Sequence, residues 1–198
     1  MYSQNDEEKW IVDFYKNNIG RFLDVGANDG RAFSCTLRLV ELGWNGVCID
    51  PSPSAFIKLQ NLHYRNAKII TVNCAVDVDS KIKKFYERPN GYISTLSKEF
   101  KDSWTKLKDT YQLMYLKTIT FDELFSYFGY SFDFIKIDVE GLDFEILQTL
   151  PFEKMTGLSM ICIEYCRSSN LQNMLDLCQK HNFKQLHITP QNLLMVKG

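Results

Sequence analysis

Apolar residues along the chain switch repeatedly between short runs with the two-residue period of strands and longer stretches with helical period. That alternation is the mark of βαβ units and predicts an α/β fold with a mainly parallel sheet. Trp10, Ile11, Phe14 and Tyr15 recur at helical spacing and predict an amphipathic helix over residues 5–17. Residues 21–25 read as a strand, 31–42 as a helix, and 46–50 as an apolar strand ending on a carboxylate. Ser52-Pro53 opens the next helix, with Ser as N-cap and Pro at the first helical position. Residues 68–74 predict a third strand, and 81–86 alternate like an added edge strand. Residues 88–111 break the pattern: they hold Gly91, several lysines and the aromatics Tyr92, Phe100, Trp104 and Tyr111, which predicts an inserted loop and helix above the sheet. Thr120 with Glu123 forms a capping box. A buried strand over 132–139, a helix over 143–150 and another buried strand over 158–164 follow. Leu171, Met174, Leu175 and Cys178 make a last helical stripe, and residues 183–188 and 193–196 flank Pro190 as a closing hairpin.

The chain has 198 residues, 45% of them apolar, which suits a single domain over 1–198 with 88–111 as its substrate-binding insertion. A larger parent polypeptide is compatible with every feature of the sequence. The net charge is −1, from 23 basic and 24 acidic residues, so no global field marks a nucleic-acid or membrane-surface protein. The first residues are too polar for a signal peptide, and no apolar run reaches membrane-spanning length. Cys35, Cys48, Cys74, Cys162, Cys166 and Cys178 mostly sit inside apolar segments, as reduced core thiols of a cytosolic protein do. Cys162 and Cys166 have no companion pair to complete a zinc set. His63, His181 and His187 share no spacing and stand near no nucleophile elbow, which removes hydrolase chemistry.

Two segments carry chemistry. In Phe22-Leu23-Asp24-Val25-Gly26-Ala27-Asn28-Asp29-Gly30 an apolar strand runs into a glycine-containing turn that opens a helix. A dinucleotide pattern wants glycine at 26, 28 and 31, but Asn28 and Arg31 hold the last two, which disfavours a pyrophosphate cradle. Asp24 instead places a carboxylate beside the turn, suited to a ligand with an ammonium group. Asp50, at the next strand end, is placed to accept hydrogen bonds from both hydroxyls of an adenosine ribose. Asn73-Cys74-Ala75 closes the third strand near where an adenine edge lies. In Phe134-Ile135-Lys136-Ile137-Asp138-Val139-Glu140-Gly141, ionisable residues alternate with Ile and Val at a carboxyl strand end, where open α/β sheets bind ligands. Burying Lys136, Asp138 and Glu140 without purpose would be costly. Glu164 ends the following strand on the same rim, with Tyr165 and Arg167 beside it.

Together Asp24 to Gly30 and Lys136 to Gly141, led in by Thr120-Phe121-Asp122-Glu123-Leu124, resemble the FkbM family of class I methyltransferases over about residues 20–165. The resemblance implies a Rossmann-like fold: a seven-stranded, mostly parallel sheet with an antiparallel closing strand and helices on both faces. It implies S-adenosylmethionine as cofactor, held by Asp24, Gly26, Ala27, Asn28 and Gly30. Asp50, Pro51 and Ser52 would face its ribose, Asn73, Cys74 and Ala75 its adenine, and Asp138 its methyl group. It further implies O-methylation of a hydroxyl group, with a sugar or glycan as leading acceptor.

Catalysis then falls to Asp138 or Glu140 as proton acceptor, with Lys136 tuning them and Glu164 on the same rim. A divalent ion such as Mg²⁺ held by Asp138 and Glu164 is the alternative means of activating the hydroxyl. Eight Lys and Arg between 81 and 108 (Lys81, Lys83, Lys84, Arg88, Lys98, Lys101, Lys106, Lys108), against Glu87, Glu99 and Asp102, offer an RNA-methylating reading, which stands behind the sugar. A non-catalytic S-adenosylmethionine-binding module of a larger protein is the rival from another class, and a nicotinamide oxidoreductase the third.

Overall fold

The computed structural model describes residues 1–89, 92–104, 106, 110–165 and 170–198. Gly91, Lys108, Cys166 and Arg167, named above, lie outside the described residues. In chain order the elements are α1 (Glu7–Tyr15), β1 (Arg21–Val25), α2 (Leu37–Glu41), β2 (Asn45–Ile49), α3 (Pro53–His63), β3 (Ile69–Val72), β4 (Ala75–Val76), β5 (Ile82–Glu87), α4 (Lys98–Ser103), β6 (Gln112–Ile119), α5 (Phe121–Phe128), β7 (Phe134–Ile137), α6 (Asp143–Gln148), β8 (Met160–Glu164), α7 (Leu171–Lys180), β9 (Phe183–Ile188) and β10 (Asn192–Lys197).

Seven strands form one sheet in the order β3-β2-β1-β7-β8-β10-β9. β1, β2, β3, β7 and β8 pair in parallel, whereas β10 is antiparallel to both neighbours. The central strands are apolar on both faces because helices cover both. Leu23, Val25, Ile135, Ile137, Ile161 and Ile163 pack with Phe121, Leu124 and Phe125 of α5, Ile146 and Leu147 of α6, and Met174 and Cys178 of α7. The alternate residues Phe22, Cys48, Phe134, Met160 and Cys162 pack with Ile11 and Tyr15 of α1, Leu39 of α2 and Leu59 of α3. The sheet and its antiparallel β10 match the fold expected from the resemblance.

Two expectations change. The helix foreseen over 31–42 is the single short α2, because the turn runs on to residue 36. Asp29 Oδ1 accepts the N–H groups of Arg31 and Ala32, Phe33 has φ +58°, and Ser34 Oγ accepts the N–H groups of Thr36 and Leu37. Residues foreseen as an edge strand of the main sheet lie instead in β5, which pairs with β6 in a separate sheet ordered β4-β6-β5. The pattern did not mark β6. Its outward residues Leu113 and Tyr115 are apolar yet 53% and 63% exposed, so the usual inward–outward alternation is blurred.

The capping box stands as expected: Thr120 Oγ1 accepts the Glu123 N–H, and the Glu123 carboxylate accepts the Thr120 N–H. Replacing Thr120 by Ala should cost about 1 kcal/mol in stability. Phe134→Ala, at a ring with no exposed surface, should cost about 3–5 kcal/mol. Urea midpoints at an unchanged m-value check both.

Candidate active site

β1 and β7 are neighbours with Asp24 opposite Lys136, and β7 and β8 place Lys136 opposite Cys162. Residues 24, 136 and 164 share the face of Phe22, Phe134 and Cys162, since strand side chains alternate. The sheet therefore gathers Asp24, Lys136 and Glu164 at one carboxyl edge before any loop contributes.

Lys136 is buried there. Its Nζ lies 3.0 Å from Asp138 Oδ2 and 3.6 Å from Asp24 Oδ1, and donates to the Gly26 carbonyl at 3.2 Å. Burial works to lower its pKa, but the carboxylates of Asp138 and Asp24 hold it well above the usual lysine value. Asp24 Oδ2 accepts the Thr36 hydroxyl at 2.6 Å, while its buried Oδ1 has no hydrogen-bond partner among the described residues. A Cβ on Gly26, where φ is +84°, would sit 1.6 Å from the Asp138 carbonyl oxygen. Only glycine lets the two strand-end turns approach so closely.

β7 ends at Ile137, so strand alternation does not carry Glu140 onto the rim; a turn does, with φ +60° at Glu140 and +102° at Gly141. Asp143 fixes that turn by accepting the Val139 and Gly141 N–H groups at 2.8 and 3.1 Å. Thr95 Oγ1 donates to the Glu140 carbonyl at 2.6 Å, and Phe100 packs where a Gly141 side chain would stand. One carboxylate oxygen each of Asp138, Glu140 and Glu164 then falls within 4.8 Å of the others, the group of this kind found among the described residues. Burial, followed by repulsion from Asp138 and Asp143, pushes Glu140 well above the usual glutamate value. Burial, Asp138, Glu140 and Asp143 push Glu164 up to about 12.

A cleft of about 460 Å³ opens along this edge. Asp24, Gly26, Ala27, Asn28, Asp50, Pro51, Ser52, Cys74, Ala75, Lys136, Asp138, Glu140 and Glu164 all line it. Gly30 and Asn73 do not. Gly30 turns towards Leu59 and Leu62 of α3, and the Asn73 amide donates to the Asp50 carbonyl at 2.8 Å from an exposed position. Asp50 is buried at the wall; its carboxylate accepts the Asn28 and Ser52 N–H groups at 2.8 and 2.9 Å, which leaves one lone pair on each oxygen. Burial pushes its pKa up to about 7 against those two bonds.

Arg88, Tyr92, Ile93, Ser94, Leu96, Phe100 and Trp104, from the segment between β5 and β6, line the cleft as well. Sequence reading missed Thr36 and Thr95, whose roles are contacts across the chain, Asp143, whose role is local to its turn, and Glu87, which accepts from the Ser52 hydroxyl and the Ser54 N–H. Among them Asp143, two residues after Gly141, carried a usable signal as a short acid able to fold back on a turn.

The profile of the family described as Methyltransferase FkbM domain matches residues 24–184. The chain belongs to this family of S-adenosylmethionine-dependent methyltransferases. Among solved structures, methyltransferase FkbM from Methylobacillus flagellatus KT is similar at a TM-score of 0.58 and 14% identity, over 90% of this chain and 43% of that one. The chain thus spans less than half the length of that relative. Magnesium protoporphyrin IX methyltransferase from Synechocystis PCC 6803, solved with bound S-adenosylmethionine, aligns at 0.53 with 10% identity over 96% and 76% of the two chains. A TehB-like methyltransferase from Corynebacterium glutamicum aligns at 0.52 with 11% identity over 99% and 89%. No curated protein matches. No helix among the described residues is long and apolar enough to cross a membrane.

Raising the pKa of an acid on folding means that the native state holds a proton the unfolded state has lost. Asp50 therefore contributes stability below its unfolded value of 3.8 that is lost as pH rises through about 7. Thermal melts of the free protein across that window should show the wild type losing stability relative to Asp50→Asn. A constant difference would mean that Asp50 does not titrate there.

Proposed function

We propose that the chain is an S-adenosylmethionine-dependent O-methyltransferase acting on a hydroxyl group of a sugar or glycan. The observation that carries this reading is the convergence of three carboxylate oxygens within 4.8 Å, from residues that line one cleft together with Tyr92, Phe100 and Trp104. Carboxylates draw a proton from a hydroxyl, and Tyr92, Phe100 and Trp104 offer faces on which a sugar ring can stack.

The residues suit the methyl donor. Asp24, although it already faces Lys136, gives the cleft a carboxylate that suits an ammonium group, and Asp50, Cys74 and Ala75 suit a nucleoside. Asn28 and Pro51 line the same cleft. When bound, S-adenosylmethionine supplies an activated methyl group and a neutral thioether leaving group.

Glu140 is our candidate for the proton acceptor. Its raised pKa makes it a stronger base than an ordinary glutamate once ionised. Glu164, pushed up to about 12, keeps its proton at neutral pH and can donate a hydrogen bond within the cluster. Lys136 orders Asp138 through the 3.0 Å contact. The same three-oxygen geometry favours one second route, in which Mg²⁺ held by Asp138 and Glu164 lowers the hydroxyl pKa. A cytoplasmic setting accords with the reduced thiols and is part of the proposal.

Glu140→Gln should lower kcat by about 10² to 10⁴ while calorimetry shows S-adenosylhomocysteine bound as in the wild type. Because the base acts ionised, kcat/KM should rise with pH through an apparent pKa above 4.5, and that limb should vanish in the variant. Full turnover by Glu140→Gln removes it as the base. Loss of turnover in a chelator, restored by Mg²⁺, transfers activation to the metal. A protein whose melting temperature is unmoved by S-adenosylhomocysteine is not this enzyme.

A further inference from the structure

The cleft is electrically lopsided. Among the described residues, Asp24, Asp50, Asp138, Glu140 and Glu164 line it with two cations, Lys136 and Arg88. Lys136 is engaged by Asp24 and Asp138. Arg88 forms no ion pair with any described residue, although it is partly buried at the cleft wall. Its backbone is held, since the Arg88 N–H donates to Ser94 Oγ at 3.0 Å at the end of β5.

Arg88 and the aromatics come from the segment between β5 and β6, whereas the acids come from the strand ends and turns of the large sheet. Tyr92 packs edge-on against Phe33 at 5.3 Å between centroids, so the aromatic wall reaches over the turn after β1. Tyr111 feels the charges of both Arg88 and Glu140, and its buried hydroxyl has no hydrogen-bond partner among the described residues. Arg88 lines the same cleft as Glu140, and both act on Tyr111, so Arg88 lies within electrostatic reach of Glu140. A guanidinium with no ion pair to any described residue, in a partly desolvated cleft, matches a carboxylate or phosphate, which it holds through two parallel hydrogen bonds.

Resting on the sugar-hydroxyl reading above, we infer that the acceptor is an acidic sugar, a uronic acid or a sugar phosphate, whose anionic group pairs with Arg88 while its ring lies along Tyr92 and Trp104. Pairing there fixes which hydroxyl meets Glu140. A neutral sugar leaves the guanidinium without a partner and loses that orientation.

The test is transfer of tritiated methyl from S-adenosylmethionine to matched probes: galacturonate and galactose oligomers, mannose 6-phosphate and mannose, and a uridine oligonucleotide. Labelling should favour the acidic member of at least one sugar pair, and the two pairs separate a carboxylate from a phosphate. Arg88→Ala should lower kcat/KM for that acceptor about ten- to hundred-fold, with partial rescue by Arg88→Lys and S-adenosylhomocysteine affinity within two-fold of wild type. Labelling of neutral sugars equally or alone overturns this inference and leaves the sugar reading standing. Labelling of the oligonucleotide alone, or of none of the probes, overturns both. A comparable loss of S-adenosylhomocysteine affinity in Arg88→Ala assigns the residue to the methyl donor and overturns the inference as well.

Discussion

The edge of the sheet depends on one buried cation. Lys136 stands between Asp24 and Asp138 and also donates to the Gly26 carbonyl, so a single ammonium ties the ends of β1 and β7 together. Removing it would leave two carboxylates facing each other at low dielectric, an arrangement that tolerates ionisation of only one. The turn after β1 and the turn after β7 are thus held at a fixed separation by charge, and Gly26 removes the side chain that would force them apart.

From that fixed point the site builds outward in layers. Asp143 shapes the turn that presents Glu140. Asp50 clamps the first and second strand-end turns to each other through Asn28 and Ser52. Glu87 of β5 accepts from Ser52 and Ser54 at the start of α3, so the small sheet is fastened to the large one at the cleft. Each carboxylate works as a structural clamp through backbone N–H groups, and the acids that remain without such bonds are the ones gathered at the rim.

Much of this was legible in the sequence because parallel strands buried on both faces leave continuous apolar runs, and because polar residues inside such runs are conspicuous. Lys136, Asp138 and Glu164 stood out for that reason. The seven-stranded, mostly parallel sheet was implied by the family resemblance, and its antiparallel end agrees with the hairpin read around Pro190. What did not show was partly non-local and partly a local competition for backbone hydrogen bonds. The small sheet escaped because β6 exposes apolar residues, and α2 shrank because Asp29 and Ser34 offer the backbone alternatives to helical bonding. Gly30 and Asn73 were read with the motif and the strand end that contain them; the direction each faces is decided by α3 and by the Asp50 carbonyl.

The contact of the inserted segment with the rim has a mechanical consequence. Thr95 holds the carbonyl of Glu140, and Phe100 rests on Gly141, so the wall that would meet an acceptor is bolted to the turn that would take its proton. A ligand that displaces α4 by a fraction of an ångström displaces the backbone beneath Glu140 with it. Recognition and reactivity then share one lever: a molecule seated imperfectly against the aromatic wall suffers in its rate of reaction as well as in its affinity. For the same reason the segment between β5 and β6 is not a freely exchangeable cap, since a replacement that alters ring size at position 100 must be answered at position 141.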